Sequence, residues 1–241
     1  MRPATLGPQA TDTAVRLTGL GHRFPGTHML FAGLNAVLHP GEVVGLVGPS
    51  GSGKSTLLSI IAGWVDPACG TVDRQGIQHT GWVFQNPHGV ARRTALDHVV
   101  LPLLGQGYAR RDAEGRARQV LARFSLANVS DRQFRALSGG EAQRLMLARA
   151  VATGSDLLLV DEPTAQLDLA TATTVNAVLA ESAQDQAIVV IATHDAHTRD
   201  ACTRVIDLAD FQTAPETALT TAPASSPESV EPPSPSRRVT P

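Results

Sequence analysis

The chain has 241 residues, 42% hydrophobic and 17% charged, which suits one large domain or a domain with a subdomain. A formal net charge of −2 argues against a general nucleic-acid binder. The two cysteines, Cys69 and Cys202, have no C-x-x-C spacing, which argues against a disulfide framework and fits a reducing cytosol. No stretch approaches the about 20 apolar residues that cross a bilayer, and residues 1–5 lack the apolar core of a secretory signal, so any membrane crossing is expected from a partner.

In chain order, residues 1–13 read as a flexible leader and residues 14–211 as the globular part. Residues 42–47 are expected as a buried strand and residues 57–62 as a helix. Between them, Gly48-Pro49-Ser50-Gly51-Ser52-Gly53-Lys54-Ser55-Thr56 fits G-x-x-x-x-G-K-[ST], the phosphate-binding P-loop. The glycines let backbone N–H groups converge on an anion at the helix start. Lys54 can reach the β- and γ-phosphates, and Ser55 offers a hydroxyl to Mg²⁺. Residues 94–124 read as helical, with breaks at Pro102 and at Gly105-Gln106-Gly107.

Ser138-Gly139-Gly140 is expected to open another helix, with Ser138 as N-cap and Leu145, Met146 and Ala150 on one face. This start is a second anion site in a chain with a single P-loop. It suggests an ATP shared between two copies. Residues 157–160, 187–192 and 205–206 read as strands buried on both faces, as in a parallel sheet. Alternating strands and helices predict an α/β fold. Asp161 and Glu162 follow the first of these strands in a Walker B pattern, at the sheet edge where ligands bind. Asp161 would hold Mg²⁺ and Glu162 would act as general base toward the attacking water. His194-Asp195-Ala196-His197 has no further ligand-spaced partner, so no structural metal is assigned to it. Residues 212–241, rich in Pro, Ser and Thr, read as a disordered tail.

Together these motifs resemble the nucleotide-binding subunits of ATP-binding-cassette (ABC) transporters over roughly residues 15–210. The resemblance implies a P-loop NTPase fold: a mostly parallel sheet, a small antiparallel β subdomain and a helical signature subdomain at about residues 88–150. It identifies Leu137-Ser138-Gly139-Gly140-Glu141 as the signature, Gln85 as the Q-loop glutamine, Asp168 as the D-loop aspartate and His194 as the switch histidine. It also implies that Phe24 stacks on adenine. By this resemblance two subunits close head to tail around two ATP molecules, each held on one P-loop and capped by Ser138 and Gly140 of the other copy. Gln85 would sense Mg²⁺ and water, and His194 would contact the γ-phosphate. A transmembrane permease subunit and a second cassette, the same or a different chain, are the implied partners. The implied place is the inner face of the cell membrane.

Residues 93–103 resemble the T-A-L-E-N-V-x-L-P-L run of the lipoprotein-release and macrolide-export ATPases. The chain departs from the family in a short stretch from Gly70 to Gln85, which implies a trimmed antiparallel subdomain. It also departs at residues 87–92, which replace the apolar stretch that normally meets the permease. A cytosolic single-cassette ATPase of the iron–sulfur assembly type is the alternative. Translation-type members carry two cassettes, and DNA-repair members carry a long coiled coil that this chain lacks.

Overall fold

The computed structural model describes residues 13–165 and 167–212. The readings made for the leader and the tail fall outside these residues, except at Thr13 and Gln212. Among the described residues, eight strands form two sheets. A five-stranded parallel sheet has the order β5 (Thr80–Val83), β6 (Leu157–Asp161), β7 (Ile188–Ala192), β3 (Val43–Val47), β8 (Arg204–Asp207). A three-stranded antiparallel sheet pairs β2 (Phe31–Leu38) and β4 (Cys69–Gln75) to either side of β1 (Ala14–His22).

Residues 205–206 are not buried on both faces as expected: β8 is an edge strand, with Val205 42% exposed and Ile206 only partly buried. The inner strands β3, β6 and β7 read as apolar runs because both their faces are covered. Side-chain alternation divides them between two cores. In β6, Leu157 and Leu159 join the core under the antiparallel sheet and α1 (Lys54–Ala62). Leu158 and Val160 join the core on the opposite face. That second core is built with α2 (Ala95–Gly105), α3 (Arg110–Arg123), α4 (Gly139–Thr153) and α5 (Leu169–Gln184). The α/β architecture expected from the sequence is therefore present, with the parallel sheet at its centre. The predicted face of α4 is in place: Leu145, Met146 and Ala150 are all buried.

A second expectation needs correction. The helical pattern does not break at Pro102, which lies inside α2. The proline ring holds φ near the helical value, and its missing N–H removes one bond close to the helix end. The stop falls at Gly105-Gln106-Gly107, where the N–H groups of Gln106 and Gly107 close back onto Leu103 and Leu104. Thr94 and Asp97 form a reciprocal cap at the start of α2.

The antiparallel sheet also supports the P-loop helix. Arg74 on β4 donates from Nε to the Ile61 carbonyl at 2.6 Å and from a terminal nitrogen to the Ile60 carbonyl at 2.7 Å. These bonds reach carbonyls in the last turn of α1, where Ile60 also accepts the Gly63 N–H at 3.0 Å.

Candidate functional site

The loop between β3 and α1 can curl because Gly48, Gly51 and Gly53 take φ values of 137°, 81° and 97°, open to glycine at little cost. A Cβ on Gly53 would stand 3.1 Å from the Phe31 ring, so β2 packs directly under the loop. Lys54 opens α1, and its Nζ donates to the carbonyls of Gly48 and Pro49 at 2.9 and 3.1 Å. The ammonium is thus held over the loop that would cradle phosphate. Ser52 is buried beneath this loop and does not face the cleft.

Glu162 follows the last residue of β6 in the left-handed conformation, with φ at 49°. That turn places Asp161 and Glu162 together at the sheet edge. Glu162 is 8% exposed. Its carboxylate accepts from His194 Nδ1 at 2.7 Å, the Thr193 hydroxyl at 3.3 Å and the His194 backbone N–H at 3.4 Å. An ionised carboxylate only accepts, so the bonded Nδ1 carries the proton. His197, by contrast, meets Thr173 Oγ1 at 3.0 Å, so the two histidines serve different partners.

Phe24, Leu30, Gly48, Pro49, Ser50, Gly51, Gly53, Lys54, Ser55, Thr56, Gln85, Asp161, Glu162 and His194 line one cleft of about 700 Å³. Phe24, the P-loop apart from Ser52, Gln85, Asp161, Glu162 and His194 therefore converge as predicted. Leu30 has no signal in the sequence; only the pairing of β2 on β1 brings it here. Ser138, Gly139 and Gly140 do not line this cleft. They open α4, where Ser138 Oγ accepts the Glu141 N–H at 3.2 Å and the Glu141 carboxylate accepts the Ser138 N–H at 2.8 Å. Asp168 is also outside the cleft and caps α5 by accepting from Thr171.

Sequence reading missed Gln143. This buried residue of α4 donates to the Phe84 carbonyl at 3.4 Å, tying the signature helix to the residue before Gln85.

The donors in the cleft fit Mg²⁺. Ser55, Asp161 and Gln85 supply hydroxyl, carboxylate and amide oxygens, the hard ligands this ion takes. Burial pushes the Asp161 carboxyl above the usual range; a hydrogen bond from Ser55 opposes this and the charge of Glu162 adds to it. A buried carboxylate in that state is stabilised by a neighbouring cation.

Residues 31–165 match the sequence profile of the family described as ABC transporter. The chain belongs to the ABC transporter family. It is 38% identical over 221 residues to the lipoprotein-releasing system ATP-binding protein LolD of Ruegeria sp. (strain TM1040), covering 83% of this cassette and 97% of that relative. It is 35% identical over 230 residues to the macrolide export ATP-binding/permease protein MacB of Rhodopseudomonas palustris (strain HaA2), covering 86% of this cassette. The match spans 35%, about a third, of that longer protein. A solved cassette, MJ0796 in a dimeric post-hydrolysis state bound to ADP and Pi, superposes with a TM-score of 0.71 at 29% identity, over 80% of this chain and 93% of that one. The cassette is an ABC ATPase domain, and the sequence resemblance to the lipoprotein-release and macrolide-export group stands.

Proposed function

We propose that this cassette hydrolyses ATP to drive a membrane transporter or mechanotransmission complex, by closing with a second cassette around shared nucleotide. One observation carries the reading. The cleft holds the P-loop, both carboxylates, Gln85 and His194, while the signature residues Ser138, Gly139 and Gly140 open α4 elsewhere. An ATP on the P-loop can meet a signature helix only from another copy. The dimeric form of the similar cassette MJ0796 supports this arrangement.

In this reading Phe24 stacks on the base, and Gly48, Ser50, Gly51, Ser52, Gly53 and Thr56 belong to the loop that cradles the phosphates. Lys54 leaves its loop carbonyls for the β- and γ-phosphates. Ser55, Asp161 and Gln85 would hold Mg²⁺, which when bound neutralises phosphate charge. Glu162 takes the proton of the attacking water. His194 orients that carboxylate through Nδ1, and its exposed ring can reach the γ-phosphate. Asp168 would lie along the seam between copies.

A membrane partner fits the same architecture. No helix among the described residues is long and apolar enough to cross a membrane. Val90 and Leu101 are exposed beside a cavity of about 380 Å³ on the helical subdomain. We assign that face to a permease subunit, which would hold the cassette at the inner face of the membrane. The relatives with lipoprotein-release and macrolide-export names support a partner of that kind.

The test uses Glu162→Gln. The amide keeps the size of the side chain but cannot take the water's proton, so hydrolysis should slow by at least about 10²–10⁴-fold while ATP binding persists. Light scattering after size exclusion should show a dimer with ATP and a monomer with ADP. Adding Ser138→Arg should abolish the dimer. A dimer indifferent to Ser138→Arg, or a monomer with ATP even when the co-purifying membrane subunit is present, refutes the shared site. If the chain pairs with a different cassette, the same substitutions act on that heterodimer.

A further inference from the structure

The segment that follows Gln85 is fastened to the helical subdomain by one buried histidine. His98, on α2, is 5% exposed. The Val90 N–H donates to its Nε2 at 2.9 Å. Its Nδ1 lies 2.7 Å from the Thr94 carbonyl, one turn earlier on the same helix. A nitrogen that accepts carries no proton, and a neutral imidazole has one donor and one acceptor. The proton is therefore on Nδ1, and both ring nitrogens are used.

The ring also lies 5.4 Å from the Phe134 ring, tilted by 36°. Gly89 rests on that same phenyl ring so closely that an added Cβ would stand 2.4 Å from it. Further on, the Arg135 N–H donates to the Ala91 carbonyl at 3.1 Å. At the other end, Gln143 holds the Phe84 carbonyl. Gln85 sits between two anchors, and both belong to the helical subdomain.

We propose that His98 is a positioning residue for Gln85: it latches the 86–92 segment to α2 only while its ring is neutral, and so makes the cassette's turnover sensitive to acid. Protonation would set a second N–H against the Val90 N–H at hydrogen-bond distance and place a charge in a buried site. The groups facing the ring do not compensate for that charge. Arg93, Arg110 and Arg149 share the adjoining cavity with a single carboxylate, Asp97, which is already engaged by the Thr94 N–H. Imidazole is the side chain that ordinarily changes charge between about pH 5 and 8. The effect on turnover rests on the proposed role of Gln85; the latch itself does not.

The experiment compares the full chain with His98→Gln and His98→Phe. Glutamine can accept the Val90 N–H and does not titrate; phenylalanine keeps the ring contact and loses both bonds. Amide hydrogen exchange over residues 86–92, corrected for the intrinsic effect of pH, is followed from about pH 8 to about pH 5.5. Protection should fall with acid in the parent chain, stay constant in His98→Gln and be low throughout in His98→Phe. In ATPase assays the parent's kcat should fall over the same range with KM for ATP unchanged. His98→Gln should lose that part of the decline, and His98→Phe should have a kcat about three- to tenfold lower at every pH, the scale of lost buried hydrogen bonds. If His98→Phe does not fold, the glutamine variant decides. Parent protection that is indifferent to pH, or a decline unchanged in His98→Gln, overturns the proposal. Should the parent show no hydrolysis even with its membrane subunit, the functional reading fails and the exchange result alone decides the latch.

Discussion

At the scale of single residues, the site is organised by Glu162 in an unusual backbone conformation. A non-glycine residue in the left-handed region costs about 1–2 kcal/mol. Here the surroundings enforce it: the Glu162 N–H donates to the Ala192 carbonyl at 2.9 Å, and the carboxylate accepts from Thr193 and twice from His194. Burial raises the Asp161 carboxyl above its ordinary value of 3.8, so the fold resists its charge. A carboxyl raised in the folded state contributes most stability below its ordinary value and loses that contribution as pH rises through the folded one. At neutral pH and without metal, ionised Asp161 therefore destabilises the chain. Asp161→Asn should melt higher than the parent at pH 7 in EDTA, with the gap closing as pH falls toward about 4. Hydrolysis with Mg²⁺ should fall by about 10²-fold or more. A variant that melts lower at pH 7, or that retains full turnover, contradicts the assignment of Asp161 as the half-buried metal-facing carboxylate.

Among the elements, α4 shows how a short sequence pattern builds a ligand-ready terminus. Ser138 and Glu141 satisfy each other's N–H groups, leaving the first N–H groups of the helix aimed outward. The bond from the Ser138 N–H holds the Glu141 carboxyl below its ordinary value of 4.5. Desolvation opposes this, and the Ser138 hydroxyl, Arg132 and Arg144 reinforce it. A carboxyl depressed in the folded state stabilises above its ordinary value and loses that stabilisation as pH falls through the folded one. Glu141→Gln should therefore cost about 0.5 kcal/mol at pH 7, a cap contribution discounted for solvent screening, and almost nothing below about pH 3. Denaturant titration at both pH values measures this. A cost that is equal at the two values would mean that the charge of Glu141 contributes nothing to the cap.

For the whole molecule, nucleotide binding and folding are tied together. The cleft draws Phe24 from beyond β1, the P-loop from between β3 and α1, Asp161 from β6 and His194 from beyond β7. Unfolding must therefore disperse the site. Any ligand of the native state then stabilises it by mass action, by about 2.7 kcal/mol at a concentration one hundred times Kd. ATP at that level should raise the melting temperature of the Glu162→Gln chain by several degrees. Adding Lys54→Ala should remove most of that rise at the same ATP concentration, because it deletes the cation facing the phosphates. An undiminished rise would place the nucleotide elsewhere.

What could be read directly from the sequence was local in the chain. The P-loop is nine adjacent residues, the end of β6 presents two adjacent carboxylates, and the cap of α4 spans four positions. Each works through neighbours that covalent order already supplies, so composition and spacing reveal it. The apolar runs of β3, β6 and β7 were legible for a similar reason: a strand buried on both faces needs no partner to show its pattern. β4 was not, because its residues are mostly exposed and Val72 and Arg74, the two that are partly covered, do not read as an apolar pair. Its existence depends on pairing with β1, where Val15 meets Arg74 although β2, β3 and α1 lie between them in the chain. The bond between Glu162 and His194, the reach of Leu30 into the cleft, and the hold of Gln143 and His98 on the segment around Gln85 are decided in the same way. The bonds of Glu162 to His194 and of Gln143 to Phe84 join residues 32 and 59 positions apart, and even the shorter His98–Val90 bond needs the chain to fold back onto α2; tertiary packing, not covalent order, makes these contacts.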